Sequence, residues 1–304
     1  MKLGFVTAIV PELSLAEVLS FARDHHYSCV EVMCWPRGKA ERKFAGVTHI
    51  DVTSLSNGRV DEIHGLCAKY GVSLSGLGYY PNPLDPNPEV SKKCVDHLKK
   101  IIVGAEKLGL KNVNTFVGRD WTKSVDENWP RLLKTWKPLI AFAADHGIKV
   151  GIENCPMSFS RDEWPGGKNL ATSPVIWRRM FSDIASDYFG LNYDPSHFVL
   201  QRMDPLSCLQ EFRSKLFHTH AKDMQVCQDR LNEVGSFAFP KEWHTPRIPG
   251  FGDIDWAKFM GMLHEVGYDG PVCVEVEDDT FGKTLDGRKA SLRVSQKVLA
   301  PYFG

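Results

Sequence analysis

Apolar positions recur along the chain in two alternating rhythms. Leu15, Val18, Leu19 and Ala22 fall at i, i+3, i+4 and i+7. Leu98, Ile101, Ile102 and Ala105 repeat that spacing, as do Trp256, Phe259, Met260 and Leu263. Each set puts one apolar stripe on a helix. Between such stretches lie short apolar runs: Gly4–Ala8, Cys29–Met33, Val72–Leu77, Asn112–Val117, Lys149–Glu153, Phe189–Tyr193, Leu216–Thr219 and Val272–Val276. Runs of that length read as buried strands. Strands alternating with helices predict parallel pairing, and eight of them predict closure into a barrel.

Glycine punctuation supports the repeat. Gly71-Val72, Gly109-Leu110, Gly147-Ile148 and Gly267-Tyr268 each follow a helical stretch. A glycine there supplies the left-handed C-terminal position, and the apolar residue after it packs back on the helix. The first three recur every 38 residues, and eight such units fill the 304-residue chain. The expectation is an α/β fold: a single (β/α)8 TIM barrel domain over residues 1–304, with long loops after strands 5 and 7. Those loops run from Cys155 to Pro174 and from Met224 to Asp253. Their length and aromatic content predict lids over the catalytic face. Residues from Thr284 to Leu299 read as a last helix.

Composition narrows the class. Hydrophobic residues make up 43% of the chain, enough for a packed core. With 37 basic against 37 acidic residues there is no broad field for nucleic acid or an anionic membrane. No apolar run reaches the roughly 18 residues of a membrane span. The segment Leu3 to Val10 is short and runs into Pro11-Glu12, unlike a signal peptide. Cysteines 29, 34, 67, 94, 155, 208, 227 and 273 are scattered without a Cys-x-x-Cys pair. That distribution predicts free thiols in a cytoplasmic protein. Ala8-Ile9-Val10-Pro11 follows the first strand where a dinucleotide fold would carry glycines, and Gly282-Lys283-Thr284 lacks the upstream glycine of a P-loop. No nucleotide cofactor is expected.

Four strands in succession end in a metal-ligating residue. The fifth ends in Glu153, the sixth in Tyr193-Asp194, the seventh contains His218-Thr219-His220, and the eighth runs Val272-Cys273-Val274-Glu275. Strand ends converge at one face of a barrel. Each carboxylate alone could equally cap the next helix. Three carboxylates sharing one pocket repel, and a divalent cation removes that cost. Glu153, Asp194, His220 and Glu275 therefore form a candidate site for one metal ion. Three oxygen donors and one imidazole suit Mn²⁺ best, ahead of Mg²⁺, Co²⁺ or Zn²⁺.

The segments Gly151-Ile152-Glu153-Asn154, Asp194-Pro195-Ser196-His197, His220-Ala221-Lys222-Asp223 and Gly267-Tyr268-Asp269-Gly270-Pro271 with Glu275 resemble the sugar phosphate isomerase/epimerase family of xylose-isomerase-like TIM barrels. Asn114-Thr115-Phe116-Val117-Gly118 and Pro249-Gly250-Phe251-Gly252-Asp253 extend the likeness over nearly the whole chain. The resemblance implies that Glu153, Asp194, His220 and Glu275 bind one divalent metal, and that the two glutamates act as acid and base. It implies a small sugar or cyclitol substrate and proton abstraction beside a carbonyl. The chemistry fits independently, because a metal on the carbonyl oxygen stabilises the enediolate while one carboxylate removes the proton and another returns it.

Other residues carry paired readings. His197 is a contact to a substrate hydroxyl or a structural helix-start histidine. Lys222 neutralises developing charge or a carboxylate, and Asp223 orients Lys222 or His220; either could instead be an ordinary loop ion pair. His218 shares a face with His220 and is either a buried core group or part of the site. Arg247 is a candidate for holding an anionic or polyhydroxyl substrate, or a surface charge. Trp35, Tyr79, Trp164 and Phe251 form a sugar wall or belong to the core. His25, His26, His64, His97, His146 and His264 read as solvated helix histidines.

Rival chemistries remain in view. A lyase, dehydrating a keto-inositol or eliminating across a keto-glycoside, begins with the same proton abstraction. Val226 stands where tagatose-type epimerases carry an arginine six residues after the ligand histidine. An AP-endonuclease-like hydrolase would need histidines after the third and fourth strands, which carry none, and Leu231 in Asp229-Arg230-Leu231 stands where a further histidine is required. A metal-free sugar-binding barrel predicts lost ligands, and all four are present. A homo-oligomer is compatible with the fold.

Overall fold

The computed structural model describes residues 1–38, 45–158, 160–163 and 166–303. The strands are β1 (Lys2–Val6), β2 (Cys29–Met33), β3 (Ser73–Gly78), β4 (Asn112–Thr115), β5 (Lys149–Glu153), β6 (Phe189–Tyr193), β7 (Leu216–Ala221), β8 (Asp223–Val226), β9 (His244–Arg247) and β10 (Pro271–Val274). Eight of them close a barrel in the order β1-β10-β7-β6-β5-β4-β3-β2, each neighbour parallel. Closure joins β1 to β10 through Leu3↔Val272 and Phe5↔Val274. The expected (β/α)8 barrel is present.

The surrounding helices are α1 (Leu15–Asp24), α2 (Asn57–Tyr70), α3 (Pro88–Lys107), α4 (Val125–Asp145), α5 (Pro174–Asp183), α6 (Ser196–Leu200), α7 (Leu209–Phe212), α8 (Gln228–Val234), α9 (Trp256–Glu265) and α10 (Leu285–Leu299). Local chemistry sets their ends. Ser14 with Glu17, and Ser124 with Glu127, form reciprocal capping boxes at α1 and α4. Pro88 and Pro174 open α3 and α5, where a missing N–H costs nothing. Gly71, Gly109, Gly147 and Gly267 all adopt positive φ, between 65° and 74°. The apolar stripes face the barrel: Leu15, Val18, Leu19 and Ala22 of α1 are buried, as are Trp256, Phe259, Met260 and Leu263 of α9. Among the described residues, no helix is long and apolar enough to cross a membrane.

Several boundaries differ from the periodicity reading. β1 ends at Val6, and Thr7–Ile9 form a 3₁₀ turn. β4 stops at Thr115, β7 runs on to Ala221, and β10 stops at Val274, so Glu275 lies just past its strand. The segment from Met224 to Asp253 is not an irregular loop. β8 and β9 pair antiparallel from Asp223↔Arg247 to Val226↔His244, with α8 and a 3₁₀ turn at Pro240–Glu242 between them. The segment after β5 contains a 3₁₀ turn at Arg161–Glu163. Trp164, expected near substrate, lies outside the described residues.

Candidate metal centre

The four strand-end candidates converge. One carboxylate oxygen each from Glu153, Asp194 and Glu275, and one ring nitrogen of His220, lie within 4.8 Å of one another. Local bonds bring them there. Asn154 accepts from the Asp194 amide at 2.8 Å and donates to the Asp194 carbonyl at 2.9 Å, locking the ends of β5 and β6 together. The Glu275 amide donates to the Ala221 carbonyl at 3.1 Å and fixes the segment after β10 against β7. Asp194 divides its work: Oδ1 accepts from the Ser196 amide at 2.8 Å at the start of α6, while Oδ2 accepts no hydrogen bond.

Two buried atoms in the cluster lack hydrogen-bond partners, Asp194 Oδ2 and His220 Nδ1. Both are instead faced by charged neighbours, Asp194 Oδ2 by Lys222 at 3.1 Å and His220 Nδ1 by Glu275 at 3.4 Å. A divalent cation could bond to both, and the donor set of three carboxylates and one imidazole fits such an ion.

Lys222 lies at the centre of the cluster, only 2% exposed. Its Nζ lies 2.7 Å from Glu275, 3.1 Å from Asp194 Oδ2 and 3.3 Å from Glu277. Burial pushes the Lys222 ammonium down, but these carboxylates outweigh it and hold it well above its ordinary range. Reciprocally, burial would raise the Glu275 carboxyl, yet Lys222 and His220 bring it to about 2. Burial likewise opposes ionisation of Glu153, and hydrogen bonds from His197 and His220 reverse the sign and keep it low. Both glutamates are therefore carboxylates. His197 Nε2 sits 3.1 Å from Glu153 Oε1 and 3.3 Å from Asp194 Oδ2, buried at 3% exposure. Glu275 is the most accessible of the four candidate ligands, with 20% of its side chain exposed.

Behind His220 lies a chain of buried polar groups, of which the sequence pointed only to His218. Glu31, fully buried on β2, places Oε2 2.7 Å from His220 Nε2. Burial pushes the Glu31 carboxyl up, but His220 and His218 beside it prevail and keep it ionised. A carboxylate only accepts, so His220 Nε2 carries a hydrogen, and Nδ1 is the nitrogen turned toward Glu153 and Glu275, where a cation could take the place of its proton. Tyr80 donates to the other Glu31 oxygen, and Asn192 Nδ2 donates to Tyr80 at 3.0 Å. Asn192 Oδ1 in turn meets His218 Nδ1 at 3.0 Å, and Ser75 meets His218 Nε2 at 3.1 Å. Burial brings His218 down to about 4, so it is neutral and fits a donor-acceptor link in this chain. The only sequence signal for Glu31 was a charge inside the apolar run Cys29-Val30-Glu31-Val32-Met33. Glu277, two residues past Glu275, was also missed.

Other expectations need correction. Asp223 orients neither Lys222 nor His220. Its carboxylate accepts from the amides of Met224, Gly250 and Ile254 and from Trp256 Nε1, at 2.8 to 3.1 Å. It thus ties the Pro249–Asp253 turn to the base of the hairpin. Gly252 is required there, because a Cβ would run into the Asp223 carboxylate and the Met224 carbonyl. Arg247 is not an open guanidinium: it bonds Gln225 and Thr280, with Asp278 3.6 Å away. The side-chain geometry spends all its nitrogens on protein. Trp35 follows β2 and packs edge-on against Tyr79 at 4.8 Å. Phe251 is 51% exposed and packs toward Phe281. His97 is not solvated but buried, its Nε2 2.7 Å from the Cys34 carbonyl.

Comparison with known proteins agrees with the architecture. A family model described as xylose isomerase-like TIM barrel matches residues 19–301. The uncharacterized protein YfiH of Bacillus subtilis (strain 168) is 26% identical over 98% of both chains. The inosose dehydratase of Glaesserella parasuis serovar 5 is 26% identical over 54% of each. Among solved structures, IolI protein with a bound zinc atom superposes with a TM-score of 0.73 at 18% identity over the full length of both chains. D-psicose 3-epimerase with D-tagatose from Clostridium cellulolyticum H10 gives 0.69 at 16% identity, covering 98% of this chain and 99% of the other.

Proposed function

The chain belongs to the xylose isomerase-like TIM barrel family, and from that premise we propose that it is a divalent-metal-dependent isomerase or epimerase. The proposed substrate is a keto-sugar or related cyclitol, and the reaction begins by removing a proton from the carbon beside the carbonyl. The observation that carries this reading is the convergence of Glu153, Asp194, His220 and Glu275 within 4.8 Å, with Asp194 Oδ2 and His220 Nδ1 lacking hydrogen bonds.

These four residues would hold the ion, with Mn²⁺ the best match to an oxygen-rich set. When bound, it would polarise the substrate carbonyl and accommodate the negative charge left on that oxygen by proton removal. Glu153 and Glu275 are the acid-base pair: one carboxylate takes the proton from carbon and the other returns one, to the same carbon or its neighbour. Both are held ionised, by His197 and His220 at Glu153 and by Lys222 at Glu275, so either can serve as the base. His197 and Lys222 offer N–H donors to substrate hydroxyls beside the reacting carbon. Glu31 binds His220 Nε2 and so turns Nδ1 toward the cluster.

A dehydratase outcome is the second reading, favoured by sequence relatives named inosose dehydratase that align over about half of this chain. There the same carboxylate removes the carbon-bound proton. The neighbouring C–O bond then breaks and the hydroxyl leaves as water, taking a proton from Lys222 or His197.

The test is hydrogen exchange. The protein, Mn²⁺ and a panel of ketoses, inososes and 3-keto-glucosides are incubated in D₂O and followed by NMR, with and without EDTA. Deuterium entering beside the carbonyl only in the presence of metal is the expected result, and the products separate epimerisation from water loss. No exchange with any member, together with no bound Mn²⁺, overturns the reading.

A further inference from the structure

Cys155 stands two residues beyond Glu153, where the chain leaves β5. Its position is held on both sides. Asn169 Nδ2 donates to the carbonyls of Glu153 and Cys155, at 2.9 and 2.7 Å, and the Met157 amide donates to Cys155 Sγ at 3.3 Å. The thiol is thus aimed by its own turn. One oxygen of Glu153, Sγ of Cys155 and a ring nitrogen of His197 lie within 4.8 Å of one another. His197 is 3% exposed, and its Nδ1 has no hydrogen-bond partner. Cys155 is only partly buried, which leaves the cluster an approach from solvent.

We propose that Glu153, Cys155 and His197 form a second cation site, sharing Glu153 with the oxygen-rich one and selective for a borderline-soft divalent ion such as Zn²⁺. Bonds of about 2.0 Å to nitrogen or oxygen and about 2.3 Å to sulfur put tetrahedral ligands roughly 3.3–3.8 Å apart. The cluster needs about an ångström of side-chain rotation to reach that spacing. Sulfur and imidazole donors separate the two sites chemically: thiolate favours Zn²⁺ and is a poor ligand for Mn²⁺ or Mg²⁺. On binding, the Cys155 thiol releases its proton to solvent and a zinc–sulfur bond forms, with no change of oxidation state. The ion would occupy the lone pairs that Glu153 needs as a base, so Zn²⁺ is an inhibitor of the Mn²⁺-loaded protein. This consequence rests on the function proposed above, whereas the site itself does not.

Metal stoichiometry and the cobalt–thiolate spectrum test the site without turnover. Equilibrium dialysis of the protein is expected to give one Mn²⁺ and two Zn²⁺ per chain. Co²⁺ added after Mn²⁺ is expected to develop the near-ultraviolet charge-transfer absorption of a cobalt–thiolate bond. Cys155→Ser and Cys155→Ala should lower Zn²⁺ to one, abolish the band and leave Mn²⁺ at one. Cys227→Ser, which removes an exposed thiol, should change none of these. A Zn²⁺ stoichiometry that does not fall when Cys155 is replaced, or a thiolate band that survives both Cys155 substitutions, overturns the proposal. Loss of Mn²⁺ binding with the Cys155-dependent band intact would instead remove the enzymatic reading and keep this site.

Discussion

Replacing Glu31 by Gln tests how the buried polar chain supports the candidate metal centre. The substitution keeps shape and removes one charge. Glu31 Oε2 lies 2.7 Å from His220 Nε2 in a fully buried setting, a short charge-assisted bond. When His220 Nδ1 donates its lone pair to a cation, positive charge spreads over the ring, and Glu31 stabilises that state more than the metal-free one. Glutamine keeps an acceptor for Nε2–H but lacks the charge. It also disturbs Tyr80. The Tyr80 hydroxyl already accepts from Asn192 and donates to Glu31, so an amide nitrogen facing it leaves the phenolic hydrogen without an acceptor. Loss of a partner behind a ligating histidine costs about 10- to 100-fold in metal affinity. Because Gln retains half of the arrangement, the expectation for Glu31→Gln is about tenfold weaker Mn²⁺ binding, roughly 1.4 kcal/mol. Calorimetric titration, or the free Mn²⁺ signal in electron paramagnetic resonance, measures it directly, with circular dichroism to establish folding. A folded Glu31→Gln protein binding Mn²⁺ within about twofold of the unaltered chain refutes the argument.

Further perturbations address the remaining contacts. Lys222→Met removes the buried ammonium from among Glu275, Asp194 and Glu277, and breaking such a cluster costs about 3–5 kcal/mol in the metal-free protein. Because a cation can replace that charge, the thermal shift on adding Mn²⁺ should be larger in Lys222→Met than in the parent, and an equal or smaller shift sinks the idea. Gly252→Ala drives a methyl group into the Asp223 carboxylate and should cost about 1–3 kcal/mol in a denaturant melt, against no change if the turn can move aside. Arg247→Ala should leave substrate KM within about threefold and instead lower the melting temperature, since its nitrogens hold Gln225, Thr280 and Asp278; a large rise in KM with unchanged stability would return Arg247 to the substrate. Glu153→Gln should bring metal-dependent deuterium exchange down at least 100-fold, and full turnover in that variant removes Glu153 from the acid-base pair.

Much of the fold was legible because its signals are local. Helical stripes need only residues within two turns, and the positive-φ positions at Gly71, Gly109, Gly147 and Gly267 need only a residue without a Cβ. The convergence of four residues was legible for a similar reason. Glu153, Asp194, His220 and Glu275 sit at the ends of consecutive strands, and a closed parallel barrel gathers strand ends at one face. The tertiary structure decided what stands behind and beside them. Glu31 lies in a strand whose every residue is buried, so a two-residue alternation could not say whether it faced the barrel interior. Only closure, which joins β2 to β7 by way of β1 and β10, puts its carboxylate against His220. Asp223 and Lys222 are neighbours in sequence with opposite fates, one tying down the hairpin turn and the other entering the carboxylate cluster. Successive residues of an extended chain point to opposite sides, and what waits on each side includes partners 31 and 53 residues away. Local patterns set the elements and their order; which buried charges meet depends on the packing of distant segments, and spacing along the chain carries no trace of it.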